Sequence, residues 1–265
     1  MAADTVNIGS ASGRVYCDRT MPAVVRPPRA LSIDDPRVID PILTMREAAA
    51  YLEVSPSTFQ TWARGYTRLR EEGQMPTAAR PVVSALPTEG GGRSVPFIGL
   101  VEGYVLRAFR KSGVPLQRIR PALERLAEEI GVPHALASRH LYTDRCEVLY
   151  DYAARAGDDI VRSLTVVRSG QNVFPVMVEP YLEMVTWDHE DWPKALRLPA
   201  FHSTAVVVDL TRSFGRPILE AEGTRVEDIL DRFLGGDGVI EVAEDFGVSL
   251  RECEDVIRVA VAKAA

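Results

Sequence analysis

The sequence predicts a mainly α, α+β protein: two helical units joined by a small mixed α/β segment. Three observations carry that prediction. Two short helix patterns with their own caps lie between Thr44 and Gly65. Two further helix patterns, Leu100–Phe109 and one opening at Gln117, run between Gly99 and Gly131 with a turn at Ser112–Leu116 between them. Three more short helix patterns, punctuated by glycines, fill the stretch from Thr224 to Val259. Between the second and third of these the period changes and extended runs appear.

Composition sets the class. With 265 residues, 46% hydrophobic and 26% charged, the chain can bury more than one small core. It has no apolar run of membrane-spanning length and no apolar signal core at its start. Cys17, Cys146 and Cys253 are too few and too far apart for a disulfide framework or a metal-ligand set, so a cytoplasmic protein is expected. The formal net charge of −6 argues against a generic polyanion binder. The charge is uneven, however. Thr44–Arg120 holds 11 Lys and Arg against 6 Asp and Glu, whereas Val206–Ala265 holds 7 against 13. A basic front and an acidic back suggest two kinds of partner.

Residues 1–40 show no sustained period. Pro27-Pro28 and Asp35-Pro36 break regular structure, and a flexible arm is expected. Residues 41–135 form the first unit. Thr44 caps a helix with Glu47 at the capping-box position, and Met45, Ala48, Ala49 and Leu52 face inward. Val54 plugs the turn. Ser55-Pro56 opens a second helix, since proline is tolerated at the first helical position, and Phe59 and Trp62 pack it back on the first. Gly65 stops it.

The outward face of that second helix carries Ser57, Gln60, Thr61 and Arg64, groups able to reach base edges and phosphates. Arg68 extends the basic surface. The run LTMREAAAYLEVSPSTFQTWARG resembles the helix-turn-helix of MerR and excisionase-type proteins. The resemblance implies a winged helix-turn-helix that lays its second helix in the major groove of operator DNA. It also puts a wing in residues 66–95, with Arg93–Phe97 as the returning strand and Arg93 on a phosphate. Further on, FRKSGVPLQRIRPALERL resembles the second helical pair of MerR-like domains.

Residues 136–200 form the mixed segment, expected to join the helical units and to help dimerisation. Leu141–Thr143 and Val148–Tyr152 look extended, and Phe174–Glu183 could hold a short helix broken by prolines. Met184–Trp187 and Trp192–Leu198 read as a hairpin with the polar tip Asp188–Asp191.

Residues 201–265 form the last unit. Thr224 with Glu227 is expected to cap a helix buried through Val226, Ile229, Leu230 and Phe233. A second helix faces inward through Ile240, Val242, Ala243 and Phe246, and Ser249 with Glu252 caps a third. The run from Val206 through Phe214-Gly215-Arg216-Pro217-Ile218 to Gly223-Thr224-Arg225-Val226 closely resembles the DUF433 family, although Glu220-Ala221-Glu222 lengthens the link before Gly223. The whole chain resembles VapB-type antitoxins of the VapB45 kind. That resemblance implies a cognate PIN-like ribonuclease toxin as partner, autorepression at operator DNA, a homodimer, and hetero-oligomers with the toxin. The residues expected to meet the toxin are Phe214, Arg216, Pro217, Ile218 and Arg225, with the acidic surroundings steering the approach.

No enzyme is expected. His189-Glu190 lacks the second histidine of a zinc motif, and Gly90-Gly91-Gly92 lacks the ending of a phosphate loop. No catalytic residue, metal site or cofactor is assigned. The rival reading is a stand-alone MerR-like regulator that senses a small molecule through residues 137–200.

Overall fold

The computed structural model describes residues 30–68, 77–111, 133–139 and 182–264, and of Arg68, Thr77, Ala135 and residues 262–264 the backbone only. The expected arm up to residue 29, the turn expected at Ser112–Leu116, the helix expected to open at Gln117 and the extended runs near 141–152 lie outside these residues, as does nearly all of Phe174–Glu183.

Asp35-Pro36 starts structure where a break was expected. Asp35 accepts the Arg37 amide and caps the one-turn helix α1, Pro36–Ile39. β1 (Pro41–Leu43) leads into α2 (Met45–Tyr51), where the Thr44–Glu47 capping box forms in both directions. α3 (Pro56–Arg64) follows, with Ser55 as its cap. β2 (Tyr66–Arg68) and β3 (Thr77–Ala79) pair antiparallel as a hairpin directly after α3.

The expected returning strand is corrected here. β4 is Val95–Pro96 and pairs with β1, not with the strand after α3, and Phe97 already begins α4 (Phe97–Lys111). Every residue of α4 from Phe97 to Phe109 is buried. A helix that is covered all round belongs in the middle of a core. Gly99 and Gly103 let it sit there. A β-carbon on Gly99 would stand 2.0 Å from the Ser84 carbonyl oxygen, and one on Gly103 2.8 Å from the Phe59 ring.

The second half is built on a four-stranded antiparallel sheet in the order β5-β6-β7-β8. β5 (Val185–Trp187) and β6 (Pro193–Arg197) are the expected hairpin. Its tip is an ordered turn: Asp188 Oδ1 accepts the amides of Glu190 and Trp192, each at 2.9 Å, and Oδ2 takes Arg37 at 2.6 Å. β7 (Val206–Asp209) and β8 (Ile218–Leu219) complete the sheet, so the boundary expected at residue 200 falls inside it.

Three helices close the chain: α5 (Val226–Leu234), α6 (Val239–Phe246) and α7 (Leu250–Ala264). Arg225, not Thr224, is the cap residue of α5, and it makes no side-chain cap bond. Ile240 is 61% exposed instead of inward, because α6 buries itself through Val242 and Ala243. Ser249 and Glu252 cap α7 as expected.

One apolar cluster joins both halves, from Ile42 through α4 to Val259. α7 packs on α2, and the Tyr51 and Phe201 rings lie 5.8 Å apart. Burial pushes the Tyr51 hydroxyl well above its usual range.

Candidate functional site

Two surfaces stand out, and each grows from local sequence. The first is α3. Phe59, Trp62 and Ala63 are buried, so the helix is pinned through one side. Ser57, Gln60 and Arg64 are exposed on the other, and Thr61 is half-buried. The Thr61 hydroxyl donates to the Ser57 carbonyl at 2.8 Å, which ties it to its own helix. Arg64 has no carboxylate within ion-pair reach among the described residues. The helix therefore offers an amide, a hydroxyl and a guanidinium in one row, a set able to contact base edges and phosphates.

The turn before α3 is fixed by Glu53, a non-glycine residue at φ 49°. Its carboxylate gathers Arg107 and Lys111 from α4, the latter at 3.4 Å, and His202 at 3.5 Å. Burial opposes the charged form of Glu53, but the two cations outweigh it and hold the carboxyl below its usual range. Sequence reading did not single out Glu53. The spacing of Arg107, Arg110 and Lys111 on one helix was the available signal.

Arg93 does not join this surface. It precedes β4, off the hairpin that follows α3, and its Nη2 lies 3.5 Å from Glu227 of α5. The phosphate contact expected of Arg93 would have to be made from there, where its charge partner among the described residues is a carboxylate of the second half.

The second surface is the loop between β7 and β8. Its expected partner-binding residues divide. Phe214 is 93% exposed and Arg225 is exposed, but Arg216, Pro217 and Ile218 are buried. Ile218 belongs to β8 and Pro217 adjoins it. Arg216 donates from Nη1 to the Ile42 carbonyl at 2.8 Å and pairs through Nη2 with Glu227 at 2.6 Å. Of the three, Arg216 ties the second half to the first, while Pro217 and Ile218 are covered at β8, so none of them presents an exposed side chain at this surface.

The backbone around Phe214 is unusual. Ser213, Phe214 and Gly215 take φ values of 45°, 53° and 73° in succession. A bulky residue there is an outlier that costs about 1–3 kcal/mol and persists only where its surroundings enforce it. The surroundings do so. The Thr211 amide and hydroxyl both donate to Asp209, both terminal nitrogens of Arg212 donate to the Glu220 carbonyl, and Arg216 is buried. Gly215 is pressed so close to Leu210 that a β-carbon would stand 2.5 Å from it.

Elsewhere the acidic side chains of α5 and α6 are engaged or solvated: Arg225 pairs with Asp228, and Arg232 with Asp237 and Asp245. Among the described residues no group of three or more His, Cys, Asp or Glu side chains is placed to hold a metal ion, and no helix is long and apolar enough to cross a membrane.

Comparison with known proteins fits this layout. Residues 41–123 match the family described as "Putative DNA-binding HTH domain", so the first half is a helix-turn-helix of the DNA-binding kind. A Mycobacterium tuberculosis protein named "Putative antitoxin VapB45" is 41% identical over 223 residues, covering 82% of this chain and 92% of that protein. The chain belongs to the VapB45 antitoxin family. A crystal structure of Rv2018 from Mycobacterium tuberculosis is similar at 40% identity and a TM-score of 0.65, over 83% of this chain and 99% of that one.

Proposed function

We propose that this chain is the antitoxin of a type II toxin–antitoxin system. It neutralises a PIN-like ribonuclease through the surface around Phe214 and Arg225, and it represses its own operon by binding operator DNA as a homodimer. In this reading residues 41–135 are the DNA-binding unit, α3 reads bases through Gln60 and Arg64, and the β2–β3 hairpin is its wing. The DUF433-like residues 201–265 are the partner-binding unit, working in the cytoplasm.

The observation that carries the partner half is Phe214. An aromatic ring 93% exposed on a strained loop, two residues before the buried and anchored Arg216, is what a preorganised binding anchor requires. Arg225 stands at the start of α5, within the same DUF433-like run. The acidic helices beside them favour a basic partner, and a protein that handles RNA has such a face.

The test is co-expression with the ribonuclease encoded beside it. Ending the chain at Pro199 is a poor test, since it removes two of the four sheet strands along with Arg216. Phe214→Ala removes a side chain that is almost wholly in solvent, so the fold should survive. It should weaken the complex by about 2 kcal/mol or more, roughly 30-fold, and release ribonuclease activity. A Phe214→Ala chain that neutralises the ribonuclease as well as wild type would sink this assignment.

A further inference from the structure

Three cations lie near the C-terminal end of α4, and the structure treats them differently. Arg107 and Lys111 are both spent on Glu53. Arg110 is not. It is exposed, and it has no carboxylate within ion-pair reach among the described residues. Its Nη1 instead donates to the Thr58 hydroxyl of α3 at 3.0 Å. That hydroxyl is itself held, 2.7 Å from Ser55 Oγ, and Ser55 Oγ accepts the Thr58 amide. A chain of hydrogen bonds from the cap of α3 thus fixes where the Arg110 guanidinium sits. Among the described residues only one of its terminal nitrogens is used, which leaves Nε and Nη2 for another acceptor.

Arg110 is therefore held beside Thr58, near the start of α3, while Arg64 ends it. From residue 58 to residue 64 an α-helix rises about 9 Å. One guanidinium stands near each end of the helix, with Gln60 between them. A helix seated in the major groove, about 12 Å wide, meets a phosphate backbone on either side. Free, planar guanidinium edges at its two ends fit those backbones, because the Arg fork can grip phosphate oxygens bidentately.

We propose that Arg110 is a DNA-phosphate contact, carried by α4 and aimed by Thr58, and that it supplies a sequence-independent grip which the recognition helix lacks at its own start. This rests on the DNA-binding reading above. Arg110 is absent from the surface that the helix-turn-helix pattern marks, because it lies 46 residues beyond Arg64 in the chain and reaches α3 only through the fold.

The experiment measures binding of the full chain to a fluorescein-labelled mixed-sequence DNA duplex by anisotropy across a salt series. A lost phosphate contact lowers the slope of log affinity against log salt by about 1. Arg110→Gln should show that loss and bind several-fold more weakly at low salt. Arg110→Lys should keep the wild-type slope, and Thr58→Val should weaken binding without changing the slope by a full unit. If Arg110 only braces Thr58, Arg110→Gln will lower the melting temperature and leave the slope at its wild-type value, which overturns the proposal. A wild-type chain that binds no duplex at all overturns the DNA-binding reading and this inference together. One that binds, with an unchanged Arg110→Gln slope, overturns this inference alone.

Discussion

At the scale of single residues, the arginines and carboxylates do unequal work. Arg225–Asp228 is a solvent-exposed pair, screened by water and salt, and adds little to stability. Asp255 on α7 is a different case. It is buried, accepts the Ser203 and Thr204 amides at 2.8 and 3.3 Å, and pairs with Arg258 at 2.6 Å. Burial opposes its charge, yet Arg258 and the two amides prevail and hold the carboxyl below the usual range. A carboxyl more acidic in the folded chain stabilises the fold at neutral pH. That contribution fades as pH falls through the folded-state value, below about pH 4. Asp255→Asn should therefore cost about 1–2 kcal/mol at pH 7. The gap from wild type should shrink in urea melts below pH 4, and a gap that stays constant across that range would count against Asp255 as the source.

At the scale of elements, what was legible in the sequence was local. Thr44 with Glu47, Ser55 with Pro56, and Ser249 with Glu252 announce helix starts, because each cap bonds within four residues. The β5–β6 hairpin was legible for the same reason. Long-range pairings were not. β4 finds β1 across some fifty residues, and nothing in either strand's pattern names the other. The fate of Arg216 was hidden too, since its carbonyl partner at Ile42 carries no side-chain signature. So the exposed members of the candidate sites, Gln60, Arg64, Phe214 and Arg225, could be picked by elimination from apolar stripes and loop position, whereas Arg216 and Arg93 could not be told from them. The tight seat of α4 yields a prediction at this scale. Gly99→Ala puts a methyl group against a backbone oxygen that cannot swing away, and should destabilise the chain by about 1–3 kcal/mol or more. Gly238→Ala, with nothing within 4 Å, should stay within about 1 kcal/mol of wild type. Thermal melts of the two side by side decide the matter.

At the scale of the whole molecule, the shared core decides how the chain comes apart. Tyr51 meets Phe201, Glu53 meets His202, and Arg216 reaches Ile42, so the helix-turn-helix and the sheet-and-helix half bury one another. Halves so joined should unfold as one cooperative unit. Trp62 reports on the first half and Trp192 on the second. Trp187 also lies in the second half, so urea melts of Trp62→Phe and of the Trp187→Phe/Trp192→Phe double variant, followed by the remaining tryptophan fluorescence, should give coincident midpoints relative to each variant's own circular-dichroism melt. Separate transitions would show that the halves fold independently. The Arg216 bridge also bears on how such proteins can diversify. A new DNA-binding half cannot simply be spliced onto an existing partner-binding half, because an incoming β1 that fails to present its carbonyl leaves a guanidinium stranded in the core. Recombination within this lineage should therefore have kept Ile42's strand, Arg216 and Glu227 travelling as one inheritance, and designed chimeras should succeed only when all three come from the same parent.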